Sequence, residues 1–203
     1  MLFKRIQIET PLPDIAITGP IAVEGEILIT GKAQHIAVNA IADGVTFVTI
    51  DGQYESLDLQ LPEQVPASVA YLNVNSFAAM PLQPRLGNWS SLSGVYFAYV
   101  PMPTLDLAEF PPQELYVLAD ACGITGINNI AGPTSHFSGL ILTNNQLSKA
   151  SCISLLQEAA FYYNPNGGTI DISGDGMPTF TAGEIETYVD PCTAVGWGVS
   201  VNQ

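Results

Sequence analysis

Residues 137–147, Phe137-Ser-Gly-Leu140-Ile-Leu142-Thr-Asn-Asn145-Gln-Leu147, place four apolar side chains and one asparagine in a fixed order. The order is apolar, two spacers, apolar–x–apolar, two spacers, Asn, x, apolar. Its centre, Leu140-x-Leu142, has the period of two expected of a strand with one face buried. The same template recurs on both sides. Leu92, Val95, Phe97, Val100 and Met102 occupy it, as do Val117, Ala119, Cys122 and Ile124, and then Gly167, Ile170, Ile172, Asp175 and Met177. Val69, Leu72, Val74, Phe77 and Ala79 follow it more loosely, and Val199-Ser-Val201 is a last half-copy. The first strand positions are 72, 95, 117, 140, 170 and 199, so successive spacings are 23, 22, 23, 30 and 29. Self-similarity at such a period is the mark of a solenoid, where each unit buries its apolar edge against the next.

These copies resemble the leucine-rich repeat family, whose signature LxxLxLxxNxL recurs about every 20–29 residues. The resemblance covers about residues 54–203, three-quarters of the chain, and the copy at 137–147 matches at every position. It implies parallel strands at 72–74, 95–97, 117–119, 140–142, 170–172 and 199–201. It also implies that the Asn position caps backbone groups in the turn after each strand, with Cys as a common substitute. Asn145 and Cys122 fit that role and Asp175 is a polar stand-in, whereas Phe77 and Val100 depart from the pattern.

The step lengths predict how the chain returns from one strand to the next. Pro81, Pro84, Pro101, Pro103, Pro111 and Pro112 all fall in the short steps, and proline favours extended connections over helix interiors. The long steps have room for helices. Ile153, Leu156 and Ala160 form one apolar stripe in Ser151–Tyr163, stopped by Asn164-Pro165-Asn166-Gly167. Thr181-Ala-Gly-Glu184 reads as a capping box, followed by Ile185, Tyr188 and Val189 and closed by Pro191. Residues 1–52 show alternation instead, in Phe3–Ile8, Ile15–Ile17, Ile27–Ile29, Ile36–Val38 and Val45–Ile50, with Asp43-Gly44 and Asp51-Gly52 as turn dipeptides. The expected fold is therefore an α/β solenoid of leucine-rich-repeat-like parallel strands over 53–203, with helices only in the last two coils. A small antiparallel β module over 1–52 precedes it.

Composition limits the partners. The 203 residues hold 19 acidic and 5 basic side chains, a net charge of −14. Nucleic acid and anionic membranes both need a basic footprint, so neither is expected. Only 12% of residues are charged while 47% are hydrophobic, which speaks against disorder. No apolar run reaches the roughly 18 residues of a membrane-spanning helix. No apolar region follows Lys4 and Arg5, so a signal peptide is not expected. Residues 1–52 carry six acids and three bases, and 53–203 carry thirteen acids and two bases. The N-terminal module, with Lys4, Arg5 and Lys32, is the expected attachment end.

No catalytic set emerges, and neither a cofactor nor an enzymatic activity is expected. His35 and His136 lie in different modules without metal spacing. Cys122 falls on the inward ladder, and Cys152 and Cys192 flank helical segments. None of the three has a base beside it; pairing of Cys152 with Cys192 is left open. Asp171-Ile-Ser-Gly-Asp175-Gly176 begins like a calcium loop, but its twelfth position is Ala182, and Ile170 and Ile172 place it on a strand. Asp120 and Asp171, in neighbouring columns two coils apart, stand roughly 10 Å or more apart. They make a poor pair for glycan hydrolysis.

Surface remains. Between the apolar positions, outward residues stack into columns: Asn73, Tyr96, Leu118, Ile141, Asp171 and Ser200, beside Asn75, Ala98, Asp120, Thr143, Ser173 and Asn202. Tyr96, Leu118 and Ile141 are apolar where solvent is expected, the pattern of a contact surface or of a face covered by a loop or by the N-terminal module. A β-rich head followed by a short repeat domain is similar to accessory virion proteins of tailed bacteriophages. That likeness implies a non-enzymatic structural or adhesive protein in the virion, on head or tail. It would bind other subunits of a larger assembly, and possible partners include a host surface receptor. The alternative is a leucine-rich-repeat adhesin or effector at a bacterial surface.

Overall fold

The computed structural model describes residues 4–10, 14–18, 24–31, 35–52, 58–76, 79–80, 83–130, 137–162, 164 and 166–203. In chain order the first strands are β1 (Lys4–Thr10), β2 (Asp14–Ile17), β3 (Gly25–Gly31), β4 (His35–Val38), β5 (Val45–Gly52), β6 (Asp58–Gln60) and β7 (Tyr71–Ser76). They continue as β8 (Gly94–Ala98), β9 (Thr104–Asp106), β10 (Leu115–Asp120), β11 (Gly126–Asn128), β12 (Phe137–Ile141), β13 (Thr169–Ile172) and β14 (Gly198–Val201). Among the described residues the main sheet has nine strands, ordered β1-β3-β5-β7-β8-β10-β12-β13-β14. Every neighbouring pair is parallel. Shorter parallel sheets, β2-β4-β6 and β9-β11, form a second side. The chain is a parallel β-solenoid with few helices.

The register of the main sheet is the register of the repeat. Leu72, Val95, Val117, Leu140, Ile170 and Val199 stand opposite one another along the sheet. The column extends backwards through Val48 and Ile27 to Ile6. From Ile27 to Ile170 every described member is essentially fully buried. The next inward column, Ile29, Ile50, Val74, Phe97, Ala119 and Ile172, is equally buried. These side chains, with those of the return segments, form one continuous core.

The described strands of residues 1–52 therefore do not form the antiparallel module that their alternation suggests. A period of two reports that one face is buried, not which way the strand runs. Direction follows from the connection: antiparallel neighbours join through tight loops, whereas parallel ones need a crossover of about a dozen residues or more. The steps from Ile6 to Ile27 and from Ile27 to Val48 supply such crossovers, with β2 and β4 inside them. Asp43-Gly44 lies in a turn before β5. Asp51-Gly52 is not a turn, since these residues remain in β5 opposite Asn75 and Ser76.

The outer side follows the proline pattern. The step holding Pro101, Pro103, Pro111 and Pro112 returns through β9 and the 3-10 turn Leu107–Glu109, and the next step through β11; Pro81 and Phe77 lie outside the described residues. The long steps carry helices. α1 (Lys149–Ala159) starts at Ser148, whose hydroxyl accepts from the Ser151 N–H. α2 (Ala182–Glu184), a π-helical turn (Ile185–Val189) and α3 (Asp190–Ala194) follow one another, opened by the Thr181–Glu184 capping box. Pro191 does not close this segment but sits in the first turn of α3. Lys149 links the two helical steps, donating to both Glu184 carboxylate oxygens at 2.9 and 3.0 Å. The Glu184 carboxyl is lowered to about 2, first by the Thr181 backbone N–H and then by Lys149.

Two devices turn the chain at the end of each central strand. The first is a left-handed residue four places after the inward column: Tyr99 (φ 57°), Ala121 (φ 53°), Asn144 (φ 56°) and Gly174 (φ 99°). The first three donate their N–H to Asp120, Thr143 and Ser173 of the next coil at 3.0, 3.1 and 3.1 Å. The second device is the ladder residue one place further on. Asn145 is fully buried; its Oδ1 accepts from Cys122 N (3.1 Å) and Ile124 N (3.0 Å), and its Nδ2 donates to Ala119 O (2.7 Å) and Thr143 O (3.1 Å). One coil earlier the Cys122 thiol approaches the equivalent carbonyls, Phe97 O at 3.5 Å and Asp120 O at 3.3 Å. Val100 fills the same place with a buried apolar side chain. Asp175 does not: its side chain is exposed, and only its backbone N–H engages the neighbouring coil, at Asn144 Oδ1 (2.9 Å). Asn202 ties that turn instead, accepting from Gly174 N (2.9 Å) and donating to Gly174 O (2.8 Å) and Met177 O (3.1 Å).

Two substitutions test these devices. Asn145→Ala strips four backbone groups of a partner, three of them in buried bonds, each buried group costing about 1–3 kcal/mol when left unsatisfied. Allowing for partial relaxation, it should lower equilibrium unfolding stability in urea by about 2–4 kcal/mol. Ala121→Gly relieves a left-handed alanine and should raise stability by about 0.5–1 kcal/mol, read as a higher thermal midpoint.

Candidate functional site

Successive strands lie about 4.8 Å apart and keep one register, so outward side chains of consecutive coils stand side by side. The sheet register places Thr49, Asn73, Tyr96, Leu118, Ile141, Asp171 and Ser200 in a single column. The members named from sequence, Asn73, Tyr96, Leu118, Ile141 and Asp171, are each half-buried. Tyr96, Leu118 and Ile141 are consecutive and form its apolar middle.

Beside it runs a column that the repeat template leaves as spacers: Glu26, Phe47, Tyr71, Gly94, Tyr116, Gly139 and Thr169. Its rings join Tyr96 in a continuous aromatic ridge. Phe47 stacks on Tyr71 at 4.7 Å and 12°, Tyr71 meets Tyr96 at 6.5 Å, and Tyr96 meets Tyr116 at 6.0 Å. Glycine makes the ridge possible. A Cβ on Gly94 would come within 2.9 Å of both the Tyr71 and the Tyr96 ring, and one on Gly139 would stand 2.5 Å from Tyr116 Cε2. The three tyrosine rings thus lie over glycines of the neighbouring or same strand, covering backbone that would otherwise be open to water. Burial, and then the neighbouring phenols of Tyr71 and Tyr116, raise the Tyr96 hydroxyl above its ordinary value, so it stays neutral.

Polar groups border the ridge. Glu26 is buried and accepts from Arg5 Nε and Thr49 Oγ1, both at 2.6 Å. Asp120 Oδ1 accepts from Thr143 Oγ1 and Asn144 Nδ2, both at 2.7 Å. Asp171 Oδ1 accepts from Ser173 N (3.1 Å) and Ser173 Oγ (2.6 Å). Each of these carboxylates is thus bonded to its own neighbours rather than to another acid. Among the described residues no group of three or more His, Cys, Asp or Glu side chains gathers as metal ligands. Cys122, Cys152 and Cys192 are free and buried, with no disulfide between them. Burial pushes all three thiols up to about 11, and the Cys192 thiol approaches Leu156 O (3.0 Å) and Tyr188 O (3.2 Å). They are protonated packing groups at neutral pH. His136 lies outside the described residues.

The face thus offers recognition by apolar and aromatic contact with a polar border. No family model, no curated protein and no solved structure matches the chain.

Sequence alone singled out Tyr96, Leu118 and Ile141 but missed Phe47, Tyr71 and Tyr116. Their signal was present as aromatic–apolar pairs, Phe47-Val48, Tyr71-Leu72 and Tyr116-Val117, each with its aromatic residue one place before the inward column. Gly139→Ala should force the Tyr116 ring off the sheet at a cost of about 1–3 kcal/mol. The loss should shrink in a Tyr116→Ala background, and equal losses in both backgrounds would show that the ring does not rest on Gly139.

Proposed function

We propose that the chain is a non-enzymatic structural or adhesive protein that presents the outward face of its main sheet to a macromolecule. The observation that carries this reading is the aromatic ridge continued by Leu118 and Ile141 on a side of the sheet where solvent is expected. Half-exposed apolar side chains at the centre of a patch with a polar border have the anatomy of a contact surface. Three buried, high-pKa thiols and carboxylates bonded to hydroxyls and amides fit recognition better than turnover.

The proposed setting is a larger assembly, with the chain as an accessory component of a tailed-bacteriophage virion. It docks through its N-terminal end, where β1 forms the edge of the main sheet, and leaves the face for other subunits or a host receptor. The template of the repeats and the scarcity of lysine and arginine support that setting.

The test is photo-cross-linking in the cells or particles that carry the chain, with a benzophenone amino acid at Leu118 and, as a control on another surface, at exposed Pro112. Adducts from Leu118 but not Pro112, to a capsid, portal or tail subunit, are the expected result. Adducts to a bacterial envelope component would favour the surface-adhesin alternative. Absence of any adduct at Leu118, or equal adducts at both positions, would remove the face from consideration.

A further inference from the structure

Charge and shape together narrow the partner. The outward columns place acids around the ridge. Glu9, Thr30, Asp51, Asn75, Ala98 and Asp120 follow one another in register along one flank. Asp171 continues the Leu118–Ile141 column. Glu9 and Asp51 are exposed and Asp120 is half-buried. At about 4.8 Å per strand, Glu9 and Asp51 lie about 10 Å apart and Asp51 and Asp120 about 14 Å apart. Among the described residues of these columns the one base is Arg5, already held by Glu26. The ridge consists of four rings, three of them tyrosines; Tyr96 stands in the column next to this flank and the other three rings one column further off, and an aromatic face attracts a cation within about 6 Å of its centroid. From Phe47 to Ile141 the apolar stripe crosses four strand spacings, about 19 Å, the span of roughly six extended residues.

We infer that this face binds an extended segment of a partner protein in which lysine or arginine alternates with apolar residues. The inference rests on the docking reading above and adds the chemistry of the partner. The apolar side chains of the segment lie on the ridge, Leu118 and Ile141. Its cations, pointing to the other side of the segment, pass over the Tyr96 ring to the flanking carboxylates of Asp51 and Asp120. A second copy of this chain is a poor occupant, because it would set one acidic flank against another in a protein of net charge −14.

The test uses the full chain and fluorescence anisotropy with a labelled heptapeptide alternating arginine and valine, its glutamate counterpart, and spermine as a competitor. The arginine peptide should bind and the glutamate peptide should not. Tyr96→Leu keeps an apolar side chain but removes the ring, and should weaken binding by about fivefold. Asp51→Asn should weaken it about two- to threefold. Asp190→Asn, on α3 far along the chain, should leave it unchanged, and circular dichroism checks that each variant keeps its fold. Equal binding of both peptides, displacement by spermine alone, or affinity indifferent to Tyr96→Leu and Asp51→Asn would each overturn the proposal. If Leu118 cross-links to a partner while the arginine peptide fails, the docking face stands and the cationic partner is wrong. If Leu118 yields nothing, the docking reading itself falls.

Discussion

Parallel pairing at one constant register is the constraint on which everything else in this molecule depends. A single coil, such as that from Leu72 to Val95, has one short main-sheet strand and too little apolar surface to stay folded alone. Stacked in register, each inward side chain meets its equivalents above and below, and Ile27, Val48, Leu72, Val95 and Val117 become fully buried. A shift of one residue would turn the entire inward column to solvent. Register therefore needs pins. The left-handed residues at Tyr99, Ala121 and Asn144 turn the chain at the same point in each coil, four places after the inward column, and their N–H groups reach forward to the next. Asn145 and Cys122 reach back to the coil before. Forward and backward bonds at neighbouring positions leave little freedom to slip.

The outer side is less constrained, since it only has to bring the chain back to the next strand. The short steps do so with extended segments and prolines. The two long steps insert helices without disturbing the pairing, as Leu140↔Ile170 and Ile170↔Val199 show. The insertion creates its own requirement: two helical segments side by side outside the sheet must hold together. Lys149 on Glu184 and over the Phe180 ring at 5.5 Å, together with the Cys192 thiol on Leu156 O, supply cross-links between them.

The legible part of the fold was what repeats. The equivalence of positions 72, 95, 117, 140, 170 and 199 emerged from template spacing because the same physical demand, an inward apolar side chain, recurs at each. The direction of the first strands was not legible, because alternation is blind to direction and the turn dipeptides Asp43-Gly44 and Asp51-Gly52 mimic hairpins. Asp175 was misplaced on the ladder because its side chain is exposed and Asn202 ties its turn instead. On the outward face, Tyr96, Leu118 and Ile141 could be found by counting between ladder positions. Phe47, Tyr71 and Tyr116 could not, because an aromatic residue before the inward column looks like a strand-former until register stacks it on its neighbours. Gly94 and Gly139 are only spacers in the template; in three dimensions they are floors for rings.

Column stacking also accounts for the low charge of the chain. In a parallel sheet held in register, a residue type placed on the outward face is repeated beside its equivalents at about 4.8 Å, where like charges repel strongly and exposed aromatic rings attract. A column can therefore carry acids only if neutral residues separate them. The flank obeys this: between Glu9 and Asp51 stands Thr30, and between Asp51 and Asp120 stand Asn75 and Ala98. At about 10 Å and more, the remaining repulsion is close to the screening length of physiological salt, so the sheet tolerates a one-signed face. That same spacing leaves the acids unneutralised from within, and rings, amides and hydroxyls rather than lysines fill the gaps. A surface of this kind holds its own fold at little electrostatic cost while keeping a net attraction for cations from outside.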